Sequence, residues 1–222
     1  MLHIPGVLTD SEVGALRAKL SASDWEDGRA TAGHMSTEVK NNRQIGEDAP
    51  AAREAGSVVL DALAKSATFA SAALAARISP PLFNAYQGGE TYGDHIDGAL
   101  RPFGNSIMRT DLSATLFLSD PSDYEGGDLI IRGREGEHAV KLPAGDLFLY
   151  PASTIHRVNP VTRGQRLASV FWVESLVRDH DDRSLLFELD QSIQTLKPQG
   201  DPEAILSLTA VYHNLLRRWT KS

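Results

Sequence analysis

The middle of this chain alternates between apolar and polar residues, whereas both ends repeat at helical spacing. Near the N-terminus, Thr9-Asp10-Ser11-Glu12 reads as a capping box whose Thr9 and Glu12 side chains satisfy amides at the start of a helix running to about Leu20. Residues 24 to 47 are polar, glycine-containing and weakly periodic, and a second helical pattern rich in Ala, Leu and Val follows from about Pro50 to Lys65. Both helices suit one face of a sheet. From Leu82 onward, short apolar or alternating runs are punctuated by Gly, Pro, Asp and Asn, the signature of antiparallel β structure. Strands are expected at about 82–87, 111–119, 128–132, 138–142, 146–150 and 165–174. Turns are expected at Gly88-Gly89, Gly126-Gly127, Pro143-Ala144-Gly145 and from Pro160 to Gly164. Between Leu112 and Ser119 the leucines at 112, 116 and 118 alternate with Ser113, Thr115, Phe117 and Ser119, giving one oily face and one more polar face. A polar inner face suits a barrel that holds a ligand. Beyond Leu176 helical periodicity returns, around Asp182 to Leu196 and from Pro202 to Trp219, with Ile205, Leu208, Tyr212, Leu215, Leu216 and Trp219 on one stripe of the second helix.

The pattern predicts a mainly β chain with flanking helices, of α+β class. Residues 1–176 read as one β-rich unit with N-terminal supporting helices, and 177–222 as an appended helical hairpin; a chain of 222 residues suits one core better than two. No apolar run approaches the roughly 20 residues that span a bilayer, so no membrane partner is expected. A formal net charge of −7 argues against a surface that neutralises many phosphates, and nucleic acid is not an expected partner. The absence of cysteine excludes disulfides, thiolate nucleophiles, zinc ribbons and cysteine-held clusters, leaving His, Asp, Glu or backbone as metal ligands. Met1-Leu2-His3-Ile4-Pro5 lacks the basic start and apolar core of a signal peptide, so a cytoplasmic location is expected.

A mononuclear non-haem iron site of oxygenase type needs two imidazoles and a carboxylate on one face of the ion. On an extended segment His95 and Asp97 point to the same side and can supply two of the three. The pair alone is weak: with 7 His and 17 Asp in 222 residues, chance yields about half a His-x-Asp per chain. A second match, His180-Asp181-Asp182, opens a predicted helix, where aspartate serves as a cap or a partner of the helix dipole, and it reads as structural. The first match has better company. His156 follows His95 by 61 residues across several β runs, and Arg166 follows His156 by 10. A hairpin through Asn159-Pro160 and Gly164 would return the chain beside itself and put Arg166 deeper in the same cavity, where a guanidinium can pair in fork geometry with the far carboxylate of 2-oxoglutarate.

The ordered set His95, Asp97, His156 and Arg166 resembles the PKHD-type hydroxylases, a bacterial branch of the prolyl-hydroxylase-like iron(II)/2-oxoglutarate dioxygenases. The likeness extends through Val39-Lys40-Asn41-Asn42, Arg109-Thr110-Asp111-Leu112-Ser113, Gly126-Gly127-Asp128-Leu129, Pro143-Ala144-Gly145-Asp146, the segment from Tyr150 to Asp179, and Tyr212-His213-Asn214-Leu215-Leu216 in the tail. What the resemblance implies is a double-stranded β-helix of jelly-roll, cupin-like form, with iron(II) on His95, Asp97 and His156 and 2-oxoglutarate on Arg166. It further implies dioxygen as co-reactant, ascorbate as a candidate reductant, and a substrate that is either a small molecule or a protein residue. Tyr86 looks like the tyrosine that hydrogen-bonds the cosubstrate in related hydroxylases. Phe117, on the polar face, is expected to line the pocket with it, and inward alternation from Arg166 would bring Ala168, Val170 and Trp172 to the same side. Related halogenases carry a small residue in place of the carboxylate, so Asp97 implies hydroxylation, or another hydrogen-abstraction oxidation, rather than chlorination. Lys40 and Arg109 are candidates to meet an anionic substrate, against a simpler reading as solvated or paired charges.

Two other readings stay open on the sequence. One is a cupin-type metal protein with non-oxidative chemistry, or an iron or 2-oxoglutarate sensor, for which Arg166 is dispensable. The other makes the apolar stripe of the tail a homo-oligomer contact, against the simpler alternative that it packs on its own barrel.

Overall fold

One long strand, Val161–Ser175, organises the β structure, with partners along both of its edges. The computed structural model describes residues 1–31, 37–133 and 136–220, so part of the polar stretch expected over 24–47 lies outside the described residues. Val161–Ser175 sits at the centre of a nine-stranded sheet whose main path runs Leu2–Ile4, Leu147–Pro151, Leu112–Phe117, Val161–Ser175, Leu82–Gln87, Arg43–Gln44, Glu26–Asp27. Tyr124–Gly126 and Ala75–Ile78 pair with the ends of the same central strand. A second, five-stranded sheet runs Gly136–Val140, Leu129–Gly133, His156–Val158, Thr91–His95, Lys40–Asn41. Every ladder in these sheets is antiparallel. The two sheets enclose one apolar cluster, which includes Tyr86, Phe117 and Phe148 from the larger sheet and Ile131, Val140 and Val158 from the smaller. This is a double-stranded β-helix.

The opposite face of the large sheet is covered by helices. In the run from Leu112, the oily residues Leu112, Ala114, Leu116 and Leu118 face this second cluster, where they meet Val13, Leu16 and Leu20 of α1 (Asp10–Ser21) and Ala55, Val59 and Leu63 of α2 (Pro50–Lys65). Each fully buried aliphatic side chain there contributes about 1.5–3 kcal/mol relative to exposure. The Thr9/Glu12 capping box forms as expected, and Pro50 opens α2 at a position where its missing N–H costs nothing. A short helix absent from the sequence reading, α3 (Ala67–Ala73), is capped by Ser66 and ended by Leu74 in the left-handed conformation at φ 44. The tail forms α4 (His180–Leu196) and α5 (Pro202–Trp219), and Val177 and Leu186 close with Leu74 a third small cluster against Tyr212, Leu215, Leu216 and Trp219. At the start of α4 the cap is Asp179, which accepts from the amides of Asp181 and Asp182, so the second His-x-Asp is a helix opening as expected.

One expectation fails. Residues 156–166 do not form a hairpin: His156–Val158 pairs in the small sheet, with Leu129–Gly133 and Thr91–His95, while Val161–Ser175 belongs to the large one. At Asn159-Pro160 the chain crosses from one sheet to the other. The crossing is tied down where Asn159 donates to the carbonyl of Asp128 and Gly127 to that of Pro160.

Candidate active site

Between the sheets lies a cavity of about 650 Å³, and both halves of the predicted set open into it. His95 ends its strand directly opposite His156 in the antiparallel register, so the two imidazoles come from facing positions on adjacent strands. Asp97 lies just past the strand end. One ligand atom from each of His95, Asp97 and His156 lies within 4.8 Å of the other two, and His156 Nε2 is 3.7 Å from Asp97 Oδ2.

The surroundings fix how each ligand points. His95 Nδ1 lies 2.8 Å from the carbonyl oxygen of Gly93 and His156 Nδ1 lies 3.0 Å from that of Thr154. A carbonyl can only accept, so both rings carry the proton on Nδ1 and turn the Nε2 lone pair inward, the tautomer a metal ligand needs. Ser113 donates to Asp97 Oδ2 at 2.5 Å, orienting the carboxylate. The Tyr92 ring stacks on His95 at 3.6 Å, and Tyr150 meets His156 edge-on at 5.2 Å. Burial, reinforced by the neighbouring His156, holds the His95 imidazole well below its ordinary range, so it is neutral at physiological pH.

Arg166 stands on the opposite sheet, 1% exposed, and lines the same cavity. Its Nε and Nη2 are buried without a hydrogen-bond partner among the described residues. The guanidinium carbon lies 5.4 Å from the ring centre of Tyr86 and 5.2 Å from that of Phe117. Tyr86, its register partner, lines the cavity, and burial pushes its phenol up to about 12, keeping it a neutral donor. Phe117 departs from expectation: it is fully buried and backs the guanidinium from outside the cavity wall. Val170 and Trp172 line the cavity as strand alternation predicts, whereas Ala168 does not. Arg109 is engaged with Asp111 and Glu174, away from the cavity, while Lys40 does line it. Sequence reasoning put Ser113 on the polar inner face but missed its bond to Asp97, and it missed Tyr92 and Tyr150, because a hydroxyl or ring beside such a side chain leaves no pattern of its own.

The donor set suits a divalent iron. Two imidazoles and a carboxylate are the ligands such an ion takes, and a buried guanidinium with two idle nitrogens calls for an anion. Comparisons with known proteins agree. A family model described as the 2OG-Fe(II) oxygenase superfamily matches residues 81–174, and one described as the PKHD-type hydroxylase C-terminal domain matches residues 180–221. A PKHD-type hydroxylase of Herminiimonas arsenicoxydans is 56% identical over 222 residues, covering 99% of each chain. Among solved structures, a prolyl hydroxylase from Trichoplax adhaerens, in complex with a hypoxia-inducible-factor peptide fragment, matches with a TM-score of 0.58 at 17% identity, covering 83% of this chain and 86% of that one. HygX from Streptomyces hygroscopicus, with nickel and 2-oxoglutarate bound, matches with a TM-score of 0.54 at 18% identity, covering 77% and 80%. The two solved structures share the fold; with the relative identical at more than half its positions, the chain belongs to the PKHD-type hydroxylases, iron(II)- and 2-oxoglutarate-dependent dioxygenases.

Proposed function

We propose that His95, Asp97 and His156 hold the iron and that Arg166 grips the far carboxylate of 2-oxoglutarate. In this assignment Tyr86 donates a hydrogen bond to the cosubstrate and Phe117 keeps water from the back of the guanidinium. The observation that carries the reading is the buried, unpartnered fork of Arg166, open to the same cavity as three converging ligand atoms. Bound there, iron(II) and 2-oxoglutarate supply the chemistry that converts dioxygen, 2-oxoglutarate and a C–H bond into hydroxylated product, succinate and carbon dioxide. The protein's part is to bind and orient. Its Nδ1–carbonyl bonds keep both imidazole lone pairs aimed at the ion, Ser113 holds Asp97, and apolar walls such as Leu129 and Val158 exclude water.

The primary substrate is assigned to the remainder of the cavity. A volume of about 650 Å³ is in the range that takes a drug-sized molecule and leaves room beside a small diacid. We also assign residues 1–176 to the catalytic unit and 177–222 to a helical appendage, because among the described residues none beyond Trp172 lines the cavity.

Anaerobic reconstitution with iron(II) and 2-oxoglutarate, followed by succinate measurement on admitting oxygen, tests the assignment. Asp97→Ala and His156→Ala are each expected to abolish succinate release, and its persistence in both rejects the ligand set. Arg166→Ala is expected to lose 2-oxoglutarate binding while iron affinity stays near normal. Unchanged 2-oxoglutarate binding in that variant would move the cosubstrate anchor to another residue.

A further inference from the structure

Beside Arg166 stands a side chain that the iron and cosubstrate assignment leaves idle. Tyr124 opens the strand Tyr124–Gly126, which pairs with the same central strand that carries Arg166. It is 2% exposed, and its hydroxyl is buried with no hydrogen-bond partner among the described residues. Gly127 brings the two side chains to one place: a Cβ there would stand 2.9 Å from Tyr124 Cε2 and 3.1 Å from Arg166 Cδ. Cε2 adjoins the carbon that bears the hydroxyl, and Cδ carries Nε, so two buried polar groups without partners are gathered around one glycine. The two groups also feel each other electrically. Burial pushes the Tyr124 phenol up, and of the charges around it the Arg166 guanidinium has the largest effect, pulling it back down.

The ring is held in place on face and edge. Lys141 Nζ lies 4.0 Å from its centre and donates to the carbonyls of Tyr124 and Gly126 at 2.9 and 3.2 Å, while Gly127 closes against the ring edge. A ring fixed in this way also fixes its hydroxyl. The use for that hydroxyl follows from the donors of Arg166. A guanidinium carries five N–H groups, and a carboxylate gripped in fork geometry takes two of them. Phe117 offers the cation only its π face, and the Tyr86 hydroxyl is assigned to the cosubstrate. Tyr124 brings an oxygen with free lone pairs to the buried side. It does not line the cavity, so it acts on Arg166 and not on the cosubstrate itself.

Resting on the iron and 2-oxoglutarate reading above, we propose that Tyr124 is a positioning residue for Arg166. Its hydroxyl oxygen accepts from an N–H that the cosubstrate carboxylate leaves over, and so holds the guanidinium with its fork turned into the cavity. Without that oxygen Arg166 keeps its charge and loses its aim. The loss is then confined to ligands that bring a carboxylate to the guanidinium.

The test compares wild type with Tyr124→Phe, which keeps the ring and its contacts with Gly127 and Lys141 and removes only the oxygen. Full-length protein is loaded anaerobically with iron(II) and titrated calorimetrically with 2-oxoglutarate and with 2-oxovalerate, which has the same chelating end and chain length but no far carboxylate. Tyr124→Phe is expected to bind 2-oxoglutarate about tenfold more weakly, with affinities for 2-oxovalerate and iron(II) within about twofold of wild type. In an Arg166→Ala background no guanidinium is left to position, so adding Tyr124→Phe is expected to change 2-oxoglutarate affinity by less than about twofold. The inference is overturned if Tyr124→Phe binds 2-oxoglutarate as wild type does, if both 2-oxo acids weaken equally, or if the full effect persists in the Arg166→Ala background. Failure of the underlying reading looks different: Arg166→Ala alone would keep wild-type 2-oxoglutarate affinity, and the inference would fall with it.

Discussion

Ser113 is a small residue with a large say in the site, because its hydroxyl decides where the Asp97 carboxylate points. Ser113→Ala leaves the ligand set intact but frees the carboxylate to rotate, and groups that orient metal ligands typically carry 10- to 100-fold in affinity. Anaerobic competition with a chelator is expected to show iron binding weakened by about tenfold or more in Ser113→Ala. Equal affinity would remove Ser113 from the site's machinery. Lys40 gives a second residue-scale outcome, through pH. Burial, with help from Arg101 and against the pull of Glu47, Asp27 and Asp97, lowers its ammonium from 10.5 to about 8. Between these values the unfolded chain binds a proton that the folded chain does not, so this group makes stability rise with pH across that window. Below about 8 both states are charged and the full cost of the buried cation is present. Lys40→Met lacks that cost, so its advantage in Tm over wild type should be largest near neutral pH and shrink toward pH 10.5. A gap that stays constant across this range would contradict it. At this scale the sequence was most readable where chemistry is ordered along the chain: His95, Asp97, His156 and Arg166 all reach one cavity. Lys40 was legible as a charge that either meets an anionic substrate or is solvated or paired, and its burial was not, because it depends on a two-residue strand, Lys40–Asn41, that no periodicity announces.

The strand elements were recoverable wherever a long run alternates or a turn signal brackets it. Leu82–Gln87 and the helix Pro50–Lys65 fall at the expected bounds, and in Leu112–Phe117 the oily residues Leu112 and Leu116 pack toward the helices while Ser113 and Thr115 line the cavity. Short strands were not recoverable: Leu2–Ile4 and Lys40–Asn41 have too few residues for a period to show. The crossing after His156 misled for a physical reason, since Asn159-Pro160 and Gly164 are turn residues whether the chain folds back or changes sheets. That crossing depends on the Gly126-Gly127 turn. Both glycines have positive φ, at 70 and 66, and a Cβ on Gly127 would come within 2.9 Å of the Tyr124 ring and 3.1 Å of Arg166 Cδ. Gly127→Ala should therefore displace the arginine stem. Isothermal titration is expected to show 2-oxoglutarate affinity falling by about tenfold or more with iron affinity largely kept, and a proportional loss of both would point to general unfolding instead.

At the level of the whole molecule, the helical tail is bound into the fold through a small cluster of its own. Leu186 is fully buried against Leu74 and Val177, and Arg183, itself buried, donates to the carbonyls of Val177 and Arg178. Leu74 is held in a left-handed conformation that a branched aliphatic residue rarely adopts, and its carbonyl accepts from the amide of Leu176. Leu186→Ala is expected to cost about 2–5 kcal/mol. A single unfolding transition that shifts as a whole in calorimetry would mean that tail and barrel melt together, and a new early transition would mean that 177–222 unfolds as a separate unit. Among the described residues, no helix is long and apolar enough to cross a membrane. The crossing between sheets has a last consequence. Because His156 and Arg166 stand on facing sheets, their separation is set by the thickness of a β-sandwich, about 10 Å, and not by the flexibility of the ten-residue link between them. In the proposed assignment of Arg166 as anchor, the barrel acts as a gauge of diacid length, and oxaloacetate, one carbon shorter, and 2-oxoadipate, one carbon longer, are each expected to bind more weakly than 2-oxoglutarate.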